Sequence, residues 1–171
     1  GVIENSAYFR ELNPDIVTLS QHFIANGYDA VQIGKIFHKY GHSDPENSWN
    51  REPAKVDLPV GTRGFILPEN KAILEENKKV LEAKYGEGIG RTGLVQGPAY
   101  ECADVPDQAY RDGYNADVAI ATIRELAETK KPFFIGLGFY KPHLSFIAPK
   151  KYWDLYDRDA IPLAEVTQAP E

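Results

Sequence analysis

Two lysine and histidine pairs stand out as groups able to handle an anion: Lys35 with His38, and Lys141 with His143. Lysine supplies a positive charge, and histidine exchanges a proton near neutrality. Converging on a phosphoryl or sulfuryl group, such a set would stabilise charge developing on its oxygens and protonate a leaving oxygen. Singly, each residue is better explained as a solvated lysine or as a histidine bonded to a loop. Their recurrence makes them candidates, because each pair follows a segment of strand character. Tyr28 to Ile33 precedes Gly34-Lys35-Ile36-Phe37-His38, and Phe133 to Phe139 precedes Tyr140-Lys141-Pro142-His143.

The first segment alternates and carries β-branched Val31 and Ile33, and Gly34 lets the backbone turn where it ends. The second is an unbroken apolar run, as expected of a strand covered on both faces. If both strands lie in one parallel sheet, their carboxyl ends point the same way, and that edge is where open α/β sheets collect ligands. Each strand follows a helix. Thr18-Leu19-Ser20-Gln21 fits a capping box that starts a helix over about Leu19 to Ala25, with Leu19, Phe23 and Ile24 as its apolar stripe and Asn26-Gly27 as its stop. From Asn115, the positions Ala116, Ala119, Ile120, Ile123, Leu126 and Ala127 predict an amphipathic helix. Asp117 near its start and Lys130-Lys131 at its end suit the dipole, and Pro132 ends it. Two helix-to-strand units indicate an α/β fold.

The remaining segments are less regular. Val2 to Pro14 reads as an irregular entry, and Tyr40 to Gly64, with Trp49, as a long surface loop. Pro68 to Tyr85 predicts a helix with Ile73, Leu74, Val80 and Leu81 on one side, and the glycine-rich stretch Gly86 to Gly97 a flexible excursion. Asp104 to Asp107 reads as a turn or extended entry, Tyr110 to Gly113 as a turn, Ala148 to Tyr156 as a short helix, and the tail from Asp157 as extended.

Composition narrows the function. With 43% hydrophobic and 26% charged residues over 171 positions, the chain suits a soluble globular unit, and its apolar runs fall short of the roughly 20 residues of a spanning helix. A formal net charge of -6 without a basic run leaves no electrostatic footprint for nucleic acid. A single cysteine, Cys102, excludes an internal disulfide and a multi-cysteine metal site, and no neighbouring base or cation activates it. His22 lies on the polar side of the first helix, and His42 in the long loop. Asp44, Asp104, Asp107 and Asp112 lack the spacing of a calcium loop, and no glycine-rich phosphate loop occurs. The first residue is Gly1 and methionine is absent, so a processed product or an internal piece is expected, and the lack of a leader in it says nothing about compartment.

The motifs Gly34-Lys35-Ile36-Phe37-His38 and Gly138-Phe139-Tyr140-Lys141-Pro142-His143, separated by Asp104-Val105-Pro106-Asp107 and the long helix, resemble those of iduronate-2-sulfatase-type sulfatases. These are the formylglycine-dependent branch of the alkaline phosphatase superfamily, and the resemblance runs from about Val17 to Trp153. It implies an α/β sandwich with a mostly parallel central sheet, which this chain covers only in part. Residues 1–171 would be part of a sulfatase catalytic domain, with 40–100 a variable loop and helix insertion shaping the substrate pocket. The full enzyme would hydrolyse sulfate esters of sugars, in the manner of glycosaminoglycan degradation, with Ca2+ and a formylglycine nucleophile. Cys102 lacks the Cys-x-Pro/Ala-x-Arg signature, so the nucleophile and calcium ligands would lie outside this chain, no metal ligand is assigned within it, and the chain alone would be inactive. Lys35, His38 and His143 would contact the sulfate or leaving group, with Lys141 near the substrate. Beyond the sulfated carbohydrate, the remaining part of the same enzyme is the expected partner, with neither nucleic acid nor membrane. A periplasmic or secreted location is implied, lysosomal in a eukaryote. A phosphodiesterase or phosphonate hydrolase of the same superfamily, or a non-catalytic fragment holding an anionic glycan, are the alternatives.

Overall fold

A computed structural model of the chain describes residues 7–38, 44–51, 64–89, 95–162 and 165. The elements run α1 (Phe9–Leu12), α2 (Leu19–Ala25), β1 (Asp29–Gly34), α3 (Pro45–Ser48), α4 (Pro68–Tyr85), β2 (Tyr100–Ala103), α5 (Arg111–Glu128), β3 (Phe133–Gly138), β4 (Phe146–Pro149) and α6 (Lys150–Trp153). Helices are interspersed with strands, and both strand pairs among the described residues are parallel, which makes the fold α/β. The contacts divide the chain into two units: Gly1–Gly64 with Asp107–His143, and Phe65–Pro106 with Leu144–Glu171.

The first unit holds the expected helix-to-strand pairs. Strands β1 and β3 lie side by side in parallel, with Asp29 opposite Phe133 and Gly34 opposite Gly138. One face of this ribbon places Val31, Ile33, Phe133 and Ile135 against Val118, Ala119 and Leu126 of α5. Burying each large aliphatic side chain there contributes about 1.5–3 kcal/mol. On the other face the Phe134 ring stacks on Phe23 of α2 at 4.5 Å and on Trp49 at 6.4 Å. Helix α2 begins as its sequence dictates: Gln21 N–H donates to Thr18 Oγ1 at 3.2 Å, and Thr18 N–H to Gln21 Oε1 at 2.8 Å. Leu19, expected on the apolar stripe, is exposed, as is His22.

The entry expected to be irregular contains α1, tied down through Asp44. Asp44 is 2% exposed and accepts from Arg10 Nη2 at 2.7 Å, Asn47 Nδ2 at 2.9 Å, Tyr8 Oη at 3.1 Å and Ser48 Oγ. Burial pushes its carboxyl up, but the hydrogen bonds from Arg10, Ser48, Asn47 and Tyr8 outweigh it and hold the group at about 2. The unfolded carboxyl titrates near 3.8. The network's contribution of about 2 kcal/mol is therefore complete above that value and disappears as pH falls through about 2. Urea midpoints at pH 6 and pH 2.5 are expected to show a smaller acid loss in Asp44→Asn than in wild type. Equal losses would mean that this carboxyl does not carry the acid lability.

The second unit pairs β2 with β4, again in parallel, with Tyr100 opposite Phe146 and Ala103 opposite Pro149. Neither strand is expected from the sequence. Lys150–Trp153 is all that forms of the helix predicted over Ala148 to Tyr156, because Ala148 and Pro149 belong to β4, and Arg158–Ala160 of the tail forms a single 3₁₀ turn. Helix α4 spans its predicted range, but Leu74 is its buried residue, while Ile73 and Val80 are exposed. Its start has no side-chain cap of its own. Glu101 of β2 supplies one, its buried carboxylate accepting from Ile66 N–H at 2.7 Å, Leu67 N–H at 3.1 Å and Asn70 Nδ2 at 2.8 Å.

Among the described residues, no helix is long and apolar enough to cross a membrane.

Candidate functional site

Both lysine and histidine pairs belong to the first unit, on the segments leaving the same edge of the β1–β3 ribbon. The two strand ends touch. Lys35 N–H donates to Gly138 O at 2.9 Å, extending the ladder one residue past β1. Gly34 has φ of 72°, a region that disfavours other residues, and a Cβ there would overlap Gly138 O and lie 2.6 Å from Asn115 Nδ2. A Cβ on Gly138 would in turn overlap the Lys35 carbonyl. Each glycine is therefore the space occupied by the other strand's backbone, and this close approach sets the separation of the outgoing chains.

Past β1, Ile36 and Phe37 stand between Lys35 and His38; Phe37 is half-buried, whereas Ile36 remains exposed. Ile36 packs toward Gly136, and the Phe37 ring sits 5.1 Å from Phe9 and 6.2 Å from Trp49. Lys35 is half-buried and His38 exposed. Past β3, Tyr140 to His143 form a turn closed by His143 N–H donating to Tyr140 O at 3.1 Å. Lys141 is half-buried, its Nζ donating to the His143 carbonyl at 3.0 Å, while the His143 side chain is exposed. Desolvation by burial lowers the Lys141 pKa, and the Asp112 carboxylate opposes that shift.

Three residues at the start of α5 that no sequence motif marks contact this edge. The carboxylate of Asp112 accepts from Tyr140 N–H at 2.9 and 3.1 Å and from Lys141 N–H at 2.9 Å. The Arg111 guanidinium lies 4.8 Å from the centre of the Tyr140 ring and donates to its hydroxyl at 3.3 Å. Asn115, 0% exposed, packs beneath Gly34, with neither amide atom hydrogen-bonded among the described residues. Tyr110 to Gly113 reads as a turn in the sequence, but the helix begins at Arg111. Gly113 is required there because a Cβ would overlap the Asp107 backbone, not because the chain turns. The available signal is the acidic residue: Asp112 has the charge favoured in a first helical turn.

Other candidates lie elsewhere. Cys102, on β2 of the second unit, is half-buried. His42 falls outside the described residues, as do 52–63 of the long loop and 90–94 of the glycine-rich stretch. Among the described residues, no three His, Cys, Asp or Glu stand together as a metal site. The calcium implied by the resemblance thus has no ligand set among them.

No family model matches the chain. It is 28% identical to the iduronate 2-sulfatase of Mus musculus over 169 residues and 27% identical to that of Homo sapiens over 170 residues, covering 97% of this chain in each case. A sulfatase of Formosa agariphila is 28% identical over 151 residues, or 88% of this chain. The matched stretch amounts to 27% to 28% of each relative's own length. The chain is therefore sulfatase-like in sequence along almost all of its length, and it spans little more than a quarter of the relatives it matches.

Proposed function

We propose that the complete protein is a sulfuric ester hydrolase of the iduronate-2-sulfatase-like type, acting on sulfated sugars and built on an alkaline-phosphatase-like sandwich. The supporting observation is the register of β1 and β3, which sends Lys35 with His38 and Lys141 with His143 from one sheet edge. In this reading the Lys35 ammonium neutralises charge on the sulfate oxygens, His38 or His143 protonates the leaving sugar oxygen, and Lys141 orients the substrate. Formylglycine, when present, supplies the nucleophile and calcium the charge that holds sulfate against it. Cys102 lies in Glu101-Cys102-Ala103-Asp104-Val105, without the Cys-x-Pro/Ala-x-Arg signature, so the nucleophile would come from outside these residues. By itself the chain is proposed to turn nothing over. The full protein would act where sulfated glycans are met, in a periplasmic, secreted or lysosomal setting.

The test compares matched aryl sulfate, aryl phosphate and aryl phosphonate esters with the complete protein. Turnover favouring the sulfate supports the reading. Preference for a phosphorus ester would assign a phosphodiesterase or phosphonate hydrolase instead, and tight binding of a sulfated sugar without turnover would leave a binding module.

A further inference from the structure

Asp112 is the second residue of α5, where a carboxylate ordinarily complements the positive end of its own helix. Here both of its oxygens are also engaged by another segment. Oδ1 accepts from Tyr140 N–H, and Oδ2 from Tyr140 and Lys141 N–H, at 2.9 to 3.1 Å. These are charge-assisted bonds, stronger than neutral ones, and they grip the two residues that begin the Tyr140–His143 turn. Within the turn, His143 N–H donates to Tyr140 O and Lys141 Nζ to His143 O. Arg111, one residue earlier, holds the Tyr140 ring and hydroxyl.

Helix α5 is itself fixed against the sheet, by Ala119 and Leu126 in the core and by Asn115 beneath Gly34. The path from sheet to α5 to turn is therefore continuous. It sets the direction in which Lys141 and His143 leave relative to Lys35. A carboxylate beside an anion site would ordinarily repel the substrate. This one has its charge spread over two backbone N–H donors and a helix N-terminus, and it favours the protonated form of half-buried Lys141.

We infer that Asp112 is a positioning residue for the Lys141–His143 turn, holding both side chains toward the sulfated substrate. This rests on the function proposed above. Asp112→Asn keeps one acceptor oxygen and loses the charge, Asp112→Ala loses both, and Asp112→Glu keeps the charge on a longer arm. Displacing a substrate-holding group by about 1 Å can cost on the order of 100-fold. In the complete protein, with aryl sulfate as the probe, kcat/KM is therefore expected to fall about 10-fold in Asp112→Asn and about 100-fold in Asp112→Ala. Where the effect passes through Lys141 as a substrate contact, the loss appears mainly in KM.

The deciding readout is a double-mutant cycle on kcat/KM. If Asp112 acts through the turn, Asp112→Asn costs little more once Lys141→Ala and His143→Ala are already present. Full additivity would overturn the inference, as would wild-type kcat/KM in Asp112→Asn while Lys141→Ala is impaired, and the latter result would leave the proposed function standing. If Asp112→Asn does not fold, Asp112→Glu carries the test: a lowered kcat/KM with an unchanged unfolding midpoint supports positioning, and wild-type kcat/KM overturns it. Wild-type rates in the Lys35, Lys141 and His143 variants together would instead remove the function on which the inference rests.

Discussion

Gly138→Ala is expected to destabilise the protein by roughly 3 kcal/mol or more, at the upper end of what overpacking costs, because the new methyl group meets backbone rather than a yielding side chain. Its Cβ would overlap the Lys35 carbonyl and lie 3.0 Å from Lys35 N. The substitution also attacks the Lys35 N–H to Gly138 O bond, so the strand ends must part just where the two basic segments leave the sheet. Gly27→Ala is the matched control. Gly27 has φ of 85° but nothing within 4 Å of its Cβ position, so alanine there meets only the backbone penalty of about 1–2 kcal/mol. Urea midpoints of the two variants make the comparison. A Gly138→Ala protein no less stable than Gly27→Ala would mean that the close approach of β1 and β3 does not hold the edge together.

The sequence suggests that β1 and β3 share a parallel sheet but not that their glycines bring the two backbones into contact. Both strands, the capping box at Thr18 and Gln21, and the two helix-to-strand units follow from local patterns, and local patterns survive without knowledge of tertiary contacts. What escaped the sequence depends on distant partners. The start of α5 lies four residues before Asn115 because Gly113 answers to Asp107, and Asp112 to Tyr140 and Lys141. The apolar stripe of α5 is wider than the face it buries: Asn115, Ala119 and Leu126 are covered, while Ile120 and Ile123 are exposed. Strand β2 contains a glutamate, which suggests solvent, yet Glu101 is buried as the cap of α4. Strand β4 ends in proline, which argues against a paired strand except at its margin.

The lysines and histidines were visible because their spacing repeats, and the parallel register supplies what the spacing lacked, a common edge. The residues that steady them were not, since Arg111, Asp112 and Asn115 form no motif among themselves. Their contribution exists only once α5 is laid against the sheet.

The largest functional effects are expected at the lysine and histidine positions themselves. Removing one preorganised charge aimed at developing oxygen charge costs about 10²–10³-fold in kcat, which sets the expectation for Lys35→Ala. Removing a general acid costs about 10²–10⁴-fold, which sets it for the histidine, His38 or His143, proposed to protonate the leaving oxygen. Lys35 is half-buried near Phe37, whose ring packs on Phe9, and His143 is exposed in the turn whose Tyr140 and Lys141 N–H groups donate to Asp112. Neither side chain belongs to the buried core, so both alanine variants are expected to unfold within about 0.5 kcal/mol of wild type. Loss of rate can then be read as loss of chemistry. The direct test is aryl-sulfate hydrolysis by the complete protein carrying Lys35→Ala or His143→Ala: a drop of about 100-fold or more in kcat with the fold intact is the expected result, and near-wild-type rates in both variants would contradict a sulfate site at this edge.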